Sequence, residues 1–395
     1  MLSARALAIA PSATLEITNK VLRLRRSGVD IISMNAGEPD FGTPENICRA
    51  AVEAISLQRT KYTSVSGIPE LRDAICEKLE QDDHVSYTPE EISVGTGAKQ
   101  PLCNAVLALC GEGDEVLLPT PCWVSYVEMV KLAGATPVLV PNREEDGFAL
   151  NVDAIAVAIT PRTKAILINT PNNPTGAVYT RRALEQLAEL ACRHDFSIIS
   201  DEVYEKLVYD SAEHICPASL SEDARRRTVV INGFSKAYAM TGWRVGYAAG
   251  DREVIRAINA IQGHATSNTC SVAQYAALEA LRGPQDSVEA MRREFDRRRL
   301  YLLERLGRMP GVSCAGVRGA FYLLPNIASF YGRQWQGKTL KDSFDVADFL
   351  LDEAHIAVVP GGAFEAPSHL RIAYSNSMEQ LQEGMDRMEA ALARL

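Results

Sequence analysis

Apolar positions along this chain follow two rhythms. Ile68, Leu71, Ile75 and Leu79 are spaced three, four and four apart, which gives one apolar face of a helix. Ala183, Leu184, Leu187, Leu190 and Ala191 repeat that pattern after Thr180. Thr43-Pro44 reads as an N-cap with proline at the first helical position, opening a helix to about residue 57. Between such stretches lie short apolar runs rich in branched residues, at 115–118, 136–140, 165–168, 196–199 and 228–231. Near-continuous apolar runs alternating with helices predict a mostly parallel sheet covered by helices on both faces, an α/β fold.

After about Pro284 the texture changes. A charged helical stretch, 286–308, leads into short apolar runs at 320–324, 357–359 and 369–374. This predicts a smaller α+β domain. Residues 15–26 are helical in pattern but too short to stand alone, and the second domain is the natural surface for them. The chain therefore reads as an N-terminal segment, 1–40, packing on a small domain at 286–395, with a large domain at 41–285. Its 395 residues exceed the size at which one core usually splits.

Composition narrows the partners. A hydrophobic share of 47% and a charged share of 23% exclude disordered and fibrous classes. The net charge of −9 argues against nucleic acid or an anionic membrane as main partner, though a pocket can still be locally basic. The nine cysteines are odd in number and form no C-x-x-C, so neither a disulfide framework nor a metal site is expected. A reducing, cytoplasmic setting follows. No apolar run reaches the roughly 18 residues of a spanning helix.

The polar motifs fall just after the apolar runs, where open α/β sheets bind ligands. Lys236 follows the run at 228–231. A lysine desolvated in a pocket loses its proton more easily and can attack an aldehyde, whereas alone it reads as an ordinary surface lysine. Asp201 ends the run at 196–199 and is either a helix N-cap or a buried carboxylate needing a cation, such as a protonated pyridine nitrogen. Asn169-Thr-Pro-Asn-Asn-Pro-Thr-Gly176 is a turn-rich loop whose prolines fix the backbone. Gly95-Thr-Gly-Ala-Lys-Gln100 opens an apolar helix, and its backbone N–H groups can approach an anion.

Together these segments resemble the fold-type I, class I pyridoxal-phosphate aminotransferases, and most of all the bacterial aspartate/prephenate group. The resemblance runs from about Pro11 to the C-terminus. It is carried by Asn35-Ala-Gly-Glu-Pro-Asp-Phe41, Lys61-Tyr62-Thr63, Gly67-Ile-Pro-Glu-Leu-Arg72, Trp123-Val-Ser-Tyr126, the Asn-Pro-Thr-Gly run, Ser200-Asp-Glu-Val-Tyr204, the stretch from Ser235-Lys236 to Arg244, and His369-Leu-Arg-Ile-Ala-Tyr374. It implies that Lys236 holds pyridoxal 5′-phosphate as a Schiff base and shuttles the substrate proton. By the same likeness Asp201 pairs the pyridinium, Tyr204 and Asn173 bond the 3′ oxygen, and Trp123 stacks on the ring. Gly97, Ala98, Lys99, Ser235 and Arg244 would surround the phosphate. Tyr62 would reach the neighbouring subunit's phosphate, making a homodimer the minimal unit. Arg371, with the backbone of Gly37, would hold the substrate α-carboxylate, and Trp123 and Asn173 would also touch substrate.

The substrate follows from a second cation. Dicarboxylate enzymes of one branch use an arginine where this chain has Gly263. The branch resembled here uses the lysine of its phosphate loop with hydroxyls of the N-terminal segment, matched by Lys99, Ser12 and Thr14. Aspartate and glutamate are the expected donors, with a 2-oxo acid as acceptor. Ala10 stands where close relatives often have a lysine associated with prephenate-type side chains. The alternatives are an aromatic or prephenate aminotransferase, or a β-elimination or oxidation on the same scaffold. A regulator is a third reading, and would need a DNA-binding extension.

Overall fold

The computed structural model describes residues 2–11 and 13–395. Seven strands form the central sheet: β1 (Ile92–Gly95), β2 (Glu115–Thr120), β3 (Thr136–Pro141), β4 (Thr163–Asn169), β5 (Ser197–Asp201), β6 (Thr228–Gly233) and β7 (Gly246–Ala249). Their order is β1-β7-β6-β5-β4-β2-β3. Strands β2 to β6 run parallel, and β7 is antiparallel to both β1 and β6.

The pleat explains why the strands read as unbroken apolar runs. Val116, Leu118, Ala165, Leu167 and Ile199 face one layer, with Leu102 and Val106 of the helix Lys99–Leu109. Leu117, Ile166, Ile168 and Ile198 face the other, with Leu184, Leu187 and Ala191 of the helix Arg181–His194. Both faces are buried, so neither needs polar residues.

One local expectation changes, and one strand goes unsignalled in the sequence. The helix begins at Glu45, and Pro44 takes the N-cap position without a side-chain cap. Thr43 instead donates from Oγ1 to the Ala239 carbonyl at 2.8 Å and accepts from Trp243 Nε1 at 2.9 Å. Its hydroxyl joins the Ser235–Arg244 stretch to the large sheet's flank rather than capping a helix. Strand β7, Gly-Tyr-Ala-Ala, lacks the branched residues that signal a strand.

A second core lies around a three-stranded antiparallel sheet of β8 (Tyr322–Leu323), β9 (Val359–Pro360) and β10 (Leu370–Ala373), in the order β9-β10-β8. Phe295, Leu302 and Leu306 of the helix Asp286–Arg308 share that core with Leu381 and Met385 of the helix Met378–Leu392. The helix Ala13–Arg26 lays Val21 against Leu351 and Ala357. The short strand Ile32–Ser33 pairs in parallel with Ile356–Ala357. Among the described residues, no helix is long and apolar enough to cross a membrane.

Candidate active site

The carboxyl ends of β4, β5 and β6 open into one cavity of about 460 Å³. Lys236 enters it from the turn after β6 and donates from Nζ to the Gly37 carbonyl at 2.5 Å. Loss of hydration lowers its pKa from 10.5 to about 8. Arg371 and Arg244 repel the charge further, while Glu38 and Asp201 oppose them. A larger fraction of this amine is therefore neutral than for a lysine in water.

Asp201, the last residue of β5, is buried. Its Oδ2 accepts from the Tyr126 hydroxyl at 2.7 Å and its Oδ1 from the Val203 N–H at 3.4 Å. Residues 203–206 form a turn, so no helix follows for it to cap. Burial pushes the carboxyl up to about 6, against the pull of those two bonds. Among the described residues no cation lies within ion-pair distance of it. Tyr204 sits three residues on, its hydroxyl 2.8 Å from that of Tyr322.

The Asn-Pro-Thr-Gly loop is tied to the sheet by Asn169, which accepts from the Asn173 N–H at 2.7 Å and donates to the Asp201 carbonyl at 2.8 Å. The side chain of Asn173 is thereby aimed across the cavity, where its Oδ1 accepts from Arg371 Nη1 at 3.1 Å. Arg371, on β10, is buried and donates from Nη2 to the Asn35 carbonyl at 2.7 Å. Its guanidinium lies 4.5 Å from the Tyr322 ring centre, its Nε has no partner among the described residues, and burial lowers its pKa. Among the described residues it has no carboxylate partner. A buried, uncompensated guanidinium is costly unless an anion arrives.

At the opposite wall, Gly97, Ala98 and Lys99 stand at the N-terminus of the helix Lys99–Leu109. Gly97 has φ +66°, and a Cβ there would lie 2.5 Å from Arg244 Nη2. Gly246 of β7 packs so closely that its Cβ would meet the Ala98 nitrogen at 2.3 Å. The glycines thus let loop, strand and guanidinium converge. Lys99 Nζ lies 4.6 Å from the Trp123 ring centre, and burial followed by repulsion from Arg244 lowers its pKa. Helix N-terminus, Lys99 and Arg244 make a cradle for an anion.

Gly37, Ala98, Lys99, Trp123, Asn173, Asp201, Tyr204, Ser235, Lys236, Arg244, Arg371 and Thr14 all line this cavity. Gly97 lies behind Arg244 instead. Ser12 lies outside the described residues. Tyr62 is 91% exposed and away from the cavity of its own chain. Sequence reasoning gave no role to Tyr126, Tyr322, Asn35 or Asn169. Tyr126, Asn35 and Asn169 stood inside quoted motifs, but nothing in a sequence shows which polar group meets which.

Pyridoxal 5′-phosphate fits these residues. Its ring nitrogen can be protonated, which suits a buried Asp201 that lacks a cation. Its aldehyde suits a partly neutral Lys236, and its phosphate suits the cradle at Lys99 and Arg244. Arg371 remains for a carboxylate.

A family model described as aminotransferase class I and II matches residues 29–388. An aspartate/prephenate aminotransferase of Cereibacter sphaeroides is 48% identical, covering 98% of this chain and 97% of its own. The structure of an aspartate aminotransferase from Thermus thermophilus with maleate superposes with a TM-score of 0.94 at 43% identity, covering 99% of both chains. That of the aspartate aminotransferase from Rhizobium meliloti reaches 0.96 at 41% identity, over 100% of this chain and 99% of that one.

Proposed function

Because the chain belongs to the class I and II aminotransferases and is a pyridoxal-phosphate-dependent aminotransferase, we propose that it moves the amino group of aspartate or glutamate to a 2-oxo acid, with Lys236 as the proton-transferring base. When bound, the cofactor supplies an aldehyde that condenses with amines and a ring that withdraws electrons from the substrate α-carbon. Asp201 holds a proton on the ring nitrogen and so keeps the ring electron-poor. Lys236, with its amine free, would take the proton from the substrate α-carbon at Nζ and hold it for return. Tyr204 and Asn173 would bond the ring oxygen, and Trp123 would stack on the ring. Gly97, Ala98, Lys99, Ser235 and Arg244 hold the phosphate.

Arg371 and Gly37 bind the α-carboxylate. The observation that carries this reading is the shared cavity of Lys236, an Asp201 without a cation and an Arg371 without an anion. Lys99, with Thr14 and Ser12 of the N-terminal segment, is assigned the distal carboxylate. The maleate in the Thermus thermophilus structure is a dicarboxylate and supports that choice. Within this reading, residues 41–285 form the large cofactor-binding domain, residues 286–395 the small domain, and residues 1–40 a segment that packs on the small domain. The enzyme works as a cytoplasmic homodimer in which Tyr62 completes the partner's phosphate site.

The test is the visible absorption of the purified holoenzyme. Aspartate should bleach the cofactor band, and 2-oxoglutarate should restore it. A band that ignores aspartate but answers aromatic amino acids would move the substrate to the aromatic class. Bleaching that no 2-oxo acid reverses would point to elimination or oxidation instead.

A further inference from the structure

The helix Ala13–Arg26 forms one wall of the cavity, through Thr14, Leu15 and Thr18. Its two halves are held very differently. The C-terminal half buries Val21 to 2% exposure, pairs Lys20 with Asp348 at 2.8 Å and donates from Arg25 to the Ile31 carbonyl at 2.8 Å. The N-terminal half leaves Leu15 63% exposed.

Ile17 of that half packs toward Ile31, Leu351 and Ala357, and the side chain of Asn35 reaches it as well. Its Nδ2 donates to Thr18 Oγ1 at 3.2 Å, and that hydroxyl donates onward to the Thr14 carbonyl at 2.9 Å. The Asn35 amide is itself fixed, because its Oδ1 accepts from Ser33 Oγ at 2.7 Å. The backbone around it is clamped from both sides. The Met34 N–H donates to the Ala357 carbonyl at 2.8 Å, and the Ala373 N–H donates to the Met34 carbonyl at 2.8 Å. The Asn35 carbonyl is also one of the two groups that orient Arg371.

We infer that Asn35 and Thr18 are positioning residues that hold the first turn of this helix over the cavity and so select donors with short acidic side chains. Asn35 serves both ends of the substrate. Its carbonyl sets the arginine assigned to the α-carboxylate, and its amide sets the turn carrying Thr14, assigned to the distal carboxylate. Thr14, Leu15 and Thr18 line the cavity from this helix, so a bulky aromatic donor is expected to gain less from the tether than a short acidic one. The selection part of this inference rests on the dicarboxylate reading above, whereas the tether rests on the hydrogen bonds alone.

The experiment compares Thr18→Val, Thr18→Ser and Asn35→Ala holoenzymes with the parent. KM and kcat are measured with aspartate and with phenylalanine, and hydrogen exchange is followed across residues 13–26. Loss of one neutral hydrogen bond should raise KM for aspartate roughly threefold to tenfold in Thr18→Val and Asn35→Ala, with KM carrying more of the change than kcat. Phenylalanine should lose less, so the donor ratio shrinks. Exchange across the first turn should speed up in both variants, and Thr18→Ser should restore both properties. Equal losses on both donors with unchanged exchange would overturn the inference. A parent enzyme without preference for aspartate would sink the substrate assignment, while faster exchange in the two variants would still uphold the tether.

Discussion

Asp201 shows how a single residue is placed against its own comfort. A carboxylate at the end of a buried strand, with no cation at ion-pair distance among the described residues, has its pKa raised from 3.8 to about 6 by burial. At about 1.4 kcal/mol per pH unit, this rise costs the cofactor-free fold ~3 kcal/mol near neutral pH. Asp201→Asn keeps an acceptor for the Tyr126 hydroxyl and removes the charge. The cofactor-free variant should therefore be more stable than the parent at pH 7, by about 1–3 kcal/mol in denaturant unfolding. Its activity should collapse, because an amide cannot hold the ring nitrogen protonated. The sign follows from the raised pKa. The parent binds more protons folded than unfolded between 3.8 and about 6, so its stability falls as pH rises through that window, and the variant should lack this slope. A parent and variant of equal stability at pH 7 would mean that water or the tyrosine fully compensates the charge.

At the scale of elements, the segment after β5 carries a second buried charge network. Glu202 is fully buried, accepts from Ser200 Oγ at 2.7 Å and faces His214 Nε2 at 3.0 Å. Nearby, Lys78 of the helix Pro69–Asp83 bridges Asp83 at 2.7 Å and Glu205 at 2.5 Å. Burial works against a charged His214, but the charge of Glu202 and the bond to it outweigh burial and raise the imidazole pKa above 6.5. A raised histidine stabilises fully below its unfolded pKa, and the gain is lost as pH rises through the folded value. His214→Ala should cost roughly 3 kcal/mol below pH 6.5 by stranding Glu202, and less at higher pH. Thermal melts across that range check it, and a pH-independent loss would refute a charged histidine. The same scale shows what a sequence can reveal. The helix 286–308 was legible to its ends because its apolar face and charged flank follow one period. Strand β7 was not, because two alanines and a glycine carry little strand preference, and Gly246 is held to a bare Cα by its closeness to Ala98. The cavity's lining was legible as strand-end motifs at Asp201 and Lys236, whereas Arg371 was reached only through the family resemblance. The hydroxyls of Tyr126 and Tyr322 gained meaning only when distant segments met.

For the whole molecule, the placement of Tyr62 matters most. A tyrosine 91% exposed on its own chain, inside a motif assigned to a phosphate, fits a role on a second copy. If so, Tyr62→Ala and Lys236→Ala should complement each other. Neither variant has a whole site alone, but a mixed dimer holds one intact pair. Co-refolded mixtures should be more active than the average of the two separate preparations, and simple averaging would place Tyr62 outside catalysis.

Arg371 hangs from the small sheet, Lys236 and Asn173 from the large one, and a bond between Arg371 and Asn173 already spans the gap. Under the proposed assignment, an amino acid would touch both sides at once, its carboxylate on one and its amine at the other. The substrate would then be the fastener of the enzyme that consumes it. A simple amine has no carboxylate with which to fasten, so its rejection would be mechanical before it is chemical.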